Sequence, residues 1–249
     1  MADKIRVYYS KIHNMGDQLN KLIIEKCFGY ETVRCSFLEG EMCAIGSCLG
    51  MYTLHGTVPM RIQQRINGIQ KPHVSIWGTG FINYTDCEGS FFKRDMNFCA
   101  VRGELTRKAV EKMRKKRLDI PTADAGILAA EVLESLPSKR YDVGVIPHLC
   151  DLQDPRAANL HQEYENARFI SVKEEPLEVI RQIAECRFIL SSSLHGLIIA
   201  DSMGTVSYTH LDVYKRQPSY LRDRRPPPVP SWIFQQELPE NHILFRLSD

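Results

Sequence analysis

The chain has 249 residues, 43% of them hydrophobic, enough to bury the core of one domain or of two α/β lobes. Lys and Arg number 32 against 30 Asp and Glu, a net charge of +2, so the sign excess that phosphate-backbone binding needs is missing and no nucleic acid partner is expected. The first residues, Met-Ala-Asp-Lys, lack the basic and apolar regions of a secretory leader, and no uncharged apolar run approaches the ~18 residues of a membrane span.

None of the eight cysteines forms a Cys-x-x-Cys pair. The expectation is therefore a cytoplasmic protein with reduced thiols and no metal. The sequon at Asn83 is expected to stay unused in such a setting.

Residues 4–9 read as a strand and residues 14–17 as a turn. Helical spacing of Leu19, Leu22 and Ile23 then predicts a helix over 18–27, so the chain starts with a strand, loop and helix unit. Residues 44–47 and 74–80 repeat one theme, a short apolar run that reaches glycine, as buried parallel strands often do at their carboxyl ends. Residues 98–101 read as another strand. A Lys- and Arg-rich helix over 103–116 follows, with Leu105, Ala109 and Met113 on one stripe and the charges on a solvated face.

An apolar helix is predicted over 127–136, and residues 137–139 form a polar break suited to a linker. Beyond it, strands are predicted over 142–146, 169–172 and 188–190. Between the last two lies a helix over 176–186 with Leu177, Ile180 and Ile183 turned inward, and a helix over 197–203 ends the series. Strands alternating with helices imply parallel sheets. The predicted fold is α/β, with two Rossmann-like lobes facing a cleft: one over 1–138 and a partial one over 139–204.

Five segments, in order, resemble the polysaccharide pyruvyl transferase family. They are Asn14-Met15-Gly16-Asp17-Gln18-Leu19-Asn20, Ile45-Gly46-Ser47, Trp77-Gly78-Thr79-Gly80, Ala100-Val101-Arg102-Gly103-Glu104-Leu105-Thr106 and Ser191-Ser192-Ser193-Leu194-His195-Gly196. The resemblance is nearest to the exopolysaccharide ketal pyruvyl transferases. It implies lobes arranged as in B-type glycosyltransferases, phosphoenolpyruvate as donor, a saccharide acceptor, free or lipid-linked, and no cofactor or metal.

Such a donor carries a phosphate and a carboxylate, so its site must supply fixed hydrogen-bond donors and cations. His195, where a strand hands over to a helix, is the candidate acid for protonating the enol methylene carbon. A helix N-terminus would pull its pKa down and favour a base unless a bound anion reverses the field, and a plain capping role is the alternative. Many family members carry Arg where this chain has Ser193. Arg102 is then the best remaining arginine for gripping the donor, with a surface helix-start residue as the alternative and Arg107 as a weaker substitute.

Ser192 and Ser193 offer hydroxyls beside the same helix N-terminus. Asn14, Gly16, Asp17 and Asn20 form the first strand-to-helix turn and are candidates for lining the cleft as substrate contacts, although Asp17 can equally serve as a helix cap. Gly46, Ser47, Gly78 and Gly80 are candidates for lining the cleft with exposed N–H groups, tight turns being the other reason for such glycines. His148, at another strand end, is a candidate acceptor contact or a structural histidine.

After Gly204 the pattern changes. Residues 205–217 resemble adaptor-derived translation of the kind that recurs in assembled metagenomic reads. Residues 218–249 include Arg222-Asp223-Arg224-Arg225-Pro226-Pro227-Pro228 and no sustained periodicity, as expected of a disordered or out-of-frame segment, the alternative being a linker that carries Trp232 to a partner. On this reading the second lobe is truncated. Two other functions fit the residues: a nucleotide-sugar glycosyltransferase of the same fold, and a non-catalytic saccharide-binding remnant.

Overall fold

A computed structural model describes residues 2–71, 73–82, 92–155 and 159–208. Cys87, the sequon at Asn83 and the tail from Thr209 onward lie outside the described residues.

Alternating strands and helices build two parallel sheets. The first comprises β1 (Lys4–Val7), β2 (Glu31–Arg34), β3 (Met42–Cys43), β4 (Val74–Trp77) and β5 (Met96–Ala100), in the order β2-β1-β3-β4-β5. The second comprises β6 (Tyr141–Ile146), β7 (Ala167–Phe169), β8 (Cys186–Ser191) and β9 (Val206–Tyr208), in the order β7-β6-β8-β9. Every pairing within both sheets is parallel. Strand β9 lies just past Gly204, pairing Phe188 with Val206 and Leu190 with Tyr208.

Five α-helices accompany the strands among the described residues: α1 (Met15–Phe28), α2 (Val58–Ile69), α3 (Glu104–Arg114), α4 (Pro176–Ala184) and α5 (Leu194–Ser202). Helix α1 starts three residues before its predicted place because Asn14, extended at φ −139°, accepts a hydrogen bond from the Gly16 N–H. Asn14 is the cap, and Asp17 stands in the first turn instead. The helix ends at Gly29, whose left-handed backbone, φ 73°, lets its N–H bond the Glu25 carbonyl.

On α3, Ala109 and Met113 are buried as expected, together with Thr106 and Val110, whereas Leu105 is 63% exposed and does not belong to the buried stripe. The apolar helix expected over 127–136 is a 3-10 run, Ala125–Val132, started by the Asp124 carboxylate bonding the Gly126 N–H. On α4, Ile180 and Ile183 are fully buried as the spacing predicts, with Val179 beside them. Strand β7 ends at Phe169, before its expected end, although Ile170 and Val172 stay fully buried beyond it.

The two sheets share a core. Met15, Leu19 and Ile23 of α1 and Ala125, Ala129 and Val132 of the 3-10 run form one apolar cluster with Ile146, Ile180, Ile183 and Ile199 of the second lobe. The Met15 N–H also donates to the Val172 carbonyl at 2.7 Å, so α1 is fastened to the second lobe by its backbone as well as its apolar face. Truncating a fully buried member such as Ile23 to Ala is expected to cost about 3 kcal/mol, and the loss would loosen both lobes together.

Candidate functional site

In the first sheet the chain moves from β1 outward to β2, then crosses to β3 on the other side of β1. The second sheet repeats this, with β6 between β7 and β8. In open α/β sheets such reversals leave a crevice at the strands' carboxyl ends, where ligands bind. The turns leaving β1 and β3 carry residues 14–17 and 44–47, and those leaving β6 and β8 carry residues 147–148 and 192–195.

The two lobes meet at His195. Its ring lies so close to Gly16 that a Cβ at position 16 would overlap Nδ1. On the opposite edge of the ring, Nε2 is 3.8 Å from Oδ2 of Asp124, with the two side chains 12% and 4% exposed. Among the described residues neither of these facing atoms has a hydrogen-bond partner. An unsatisfied buried polar atom costs about 1–3 kcal/mol, and two of them face each other across a gap just too wide for a direct bond. Burial lowers the pKa of His195, the charges of Arg102 and His148 lower it further, and Asp124 opposes them. The imidazole is therefore neutral at pH 7, as the N-terminus of α5 also favours.

Arg102, just past β5, donates from Nη1 to the Ser47 hydroxyl and from Nη2 to the Phe81 carbonyl, both at 2.7 Å. These bonds aim its fork across the loop that follows β3. The loop is tied to the one after β4: Thr79 donates from its hydroxyl to the Gly46 carbonyl at 2.7 Å, and the Gly80 N–H donates to the same oxygen at 3.1 Å. A Cβ on Gly80 would meet the Arg102 guanidinium at 2.7 Å. Gly78 has φ 90°, and a Cβ there would lie 2.6 Å from the Ala125 backbone nitrogen, so glycine is required twice over. Arg107 is drawn into a surface pair with Glu104 at 2.7 Å.

Asp17 lies against Gly46, its Oδ1 3.2 Å from where a Cβ on that glycine would stand. Burial raises its pKa to about 6. Asn20, fully buried, donates to the carbonyls of Asp17 and Ile45 and accepts from the Ile45 N–H. Its amide joins the first and second loops and has little capacity left for a ligand.

On the second lobe the Ser192 hydroxyl donates to Asp151 at 2.8 Å and accepts from the His148 N–H at 2.8 Å. Both of these bonds are internal. Ser193 is 4% exposed at the start of α5, its N–H held by the Ser191 hydroxyl. His148 caps a short 3-10 turn, Leu149–Asp151, and its ring contacts Cys150.

Thus the structure brings Gly16, Asp17, Gly46, Ser47, Gly80, Arg102 and His195 to one crevice, with Gly78, Asn14 and Asn20 shaping its loops and His148, Ser192 and Ser193 bordering it. Asp124 was missed in the sequence. Its signal was an Asp directly before an apolar run, which reads as a cap and does act as one, while its second oxygen faces the histidine. Among the described residues no group of three or more His, Cys, Asp or Glu is arranged to hold a metal.

A family model described as polysaccharide pyruvyl transferase matches residues 71–209, over half of the chain, a span that holds Arg102, Asp124, His148 and His195. An uncharacterized protein of Acanthamoeba polyphaga mimivirus is 25% identical over 219 residues, covering 86% of this chain and 70% of its own length. A solved structure of a functionally uncharacterized protein from Klebsiella pneumoniae overlaps at a TM-score of 0.47 with 15% identity, covering 82% of each chain. No helix among the described residues is long and apolar enough to cross a membrane.

Proposed function

The chain belongs to the polysaccharide pyruvyl transferase family, and on that premise we propose that it transfers a pyruvyl group from phosphoenolpyruvate to two hydroxyls of a saccharide, closing a ketal in the making of an exopolysaccharide or cell-surface polysaccharide. The observation that carries the proposal is the facing pair of unpartnered atoms, His195 Nε2 and Asp124 Oδ2, beside a pre-aimed arginine and a carboxyl whose pKa burial raises to about 6.

Ketal formation needs an acid for the methylene carbon and a base for each attacking hydroxyl. Groups whose surroundings bring their pKa values near the working pH are suited to such proton transfers. Asp17, raised to about 6, is the acid. Neutral His195 is the base, in place of the acid role expected from sequence, because burial and Arg102 disfavour its protonation before an anion binds.

In the proposed sequence Arg102 grips the donor's carboxylate or phosphate. The Asp17 proton passes to the methylene carbon while a saccharide hydroxyl attacks the adjacent carbon and gives its proton to His195. The carbon–oxygen bond to phosphate then breaks, and phosphate leaves with the proton that His195 holds. The second hydroxyl closes the ketal and returns a proton to Asp17. One hydroxyl proton ends on the methylene carbon and the other on phosphate, and both side chains are reset. The Asp124 carboxylate supports the transient imidazolium.

Incubating the protein with phosphoenolpyruvate and a panel of saccharides tests the reading. The expected result is acceptor-dependent phosphate release together with a pyruvyl mass increment on the sugar. Turnover of a nucleotide sugar with phosphoenolpyruvate inert would assign the glycosyltransferase alternative, and saccharide binding with no turnover of either donor would assign the non-catalytic one.

A further inference from the structure

Helix α2 runs across the first lobe with only Gly68 buried. Gly68 is also the point of closest approach, since a Cβ there would run into the Lys93 carbonyl. Val58, Ile62, Ile66 and Ile69 recur at i, i+4, i+8 and i+11 and so form one stripe, yet they are 66%, 56%, 48% and 53% exposed. An amphipathic helix normally turns such a stripe into the core; this one turns it outward. The stripe borders a groove of about 850 Å³ whose walls include Phe98 and Met113.

Cations edge the same groove. Arg61 and Arg65 flank the stripe on α2, which carries no acidic residue, and Arg114 and Lys115 reach in from the end of α3. Arg65 is paired with Asp95, the acid of the groove lining, and Arg114 stacks on Phe98. The chain as a whole carries a net charge of only +2. The local excess is therefore a property of this face.

We propose that this face docks on the surface of an anionic phospholipid bilayer. The isoleucines and Val58 enter the boundary between headgroups and acyl chains, while the long basic side chains lie along them and reach the phosphates. A second copy of the chain fits the face poorly, because a two-fold contact would set its cations against identical cations. The inference does not depend on the reaction assigned above.

Sedimentation of the full chain with vesicles tests it. Binding to phosphatidylcholine vesicles containing phosphatidylglycerol, absence of binding to phosphatidylcholine alone, and release by added salt are expected. The pair Ile62→Gln and Ile66→Gln should lower the partition at least about tenfold, and Arg114→Gln with Lys115→Gln roughly fivefold per charge. Leu105→Gln, an exposed residue of α3 away from the groove, should change nothing. Circular dichroism of each variant confirms that its fold is kept. Failure to sediment with anionic vesicles, or sedimentation unaffected by the isoleucine pair, would overturn the proposal. So would a change in oligomeric mass on replacing the isoleucines, which would make the face a contact between copies.

Discussion

The imidazole of His195, at the head of α5 in the second lobe, rests on Gly16 in the first turn of α1, leaving no room for a Cβ at that position. A residue of one sheet's crevice is thus held against the backbone of the other's, and the ring's free nitrogen is left facing Asp124.

Gly16→Ala should therefore push the ring aside. The expected cost is about 1–3 kcal/mol of stability, as for other overpacked positions. Turnover should fall further than the lost stability explains, because the displaced ring no longer presents Nε2 to Asp124. Thermal unfolding measured alongside kcat separates the two, and an unchanged kcat would mean that the contact has no catalytic consequence.

Asp124→Asn keeps an oxygen for the Gly126 N–H but removes the charge that supports an imidazolium. The pKa of His195, already lowered, should fall further, and kcat should drop roughly a hundredfold. Titrating the imidazole signals by NMR reads the first effect. A purely structural role for Asp124 would leave that titration in place.

Arg102→Lys should raise the KM for phosphoenolpyruvate by about tenfold or more, since an ammonium cannot span the Ser47 hydroxyl and the Phe81 carbonyl as the guanidinium fork does. Arg102→Ala should raise it further with less effect on kcat. A KM unchanged in both variants would remove Arg102 from the donor site.

How much of this was legible in the sequence follows from what each residue's signal depends on. The loops after β1, β3, β4 and β8 were readable because a short apolar run reaching glycine or histidine is a local pattern, and the crevice is made of such strand ends. Asp124 and the Gly16 contact were not, since which carboxylate faces His195 depends on how α1 and the 3-10 run pack. Leu105 was assigned to the buried stripe from spacing alone, yet spacing leaves the rotation of α3 against the sheet undetermined. Helix α2 went unread for a related reason: its stripe has helical period but no buried counterpart. Asn20 was expected to line the cleft, and its amide is instead consumed in joining two loops.

The pH dependence follows from two opposite shifts. Asp17 has a folded pKa of about 6 against an ordinary 3.8, so its contribution to stability is present below 3.8 and is lost as pH rises through about 6. At pH 7 the buried carboxylate is a liability, and Asp17→Asn should stabilise the fold by on the order of 2 kcal/mol. His195 has the reverse sign: its neutral form is favoured, so stability is lost as pH falls below its ordinary 6.5. Turnover should decline above about pH 6, where Asp17 loses its proton. Asp17→Asn should lose turnover while gaining in melting temperature at pH 7, and a variant that melts lower there would contradict the assignment.

The most direct measurement is an NMR titration of the His195 imidazole with phosphoenolpyruvate, which needs no acceptor sugar. Binding of this anion between Arg102 and the head of α5 should shift the ring signals and raise the pKa of His195, because added negative charge favours the imidazolium. Donor that binds while the signals and titration of His195 stay as in the empty protein would contradict the account.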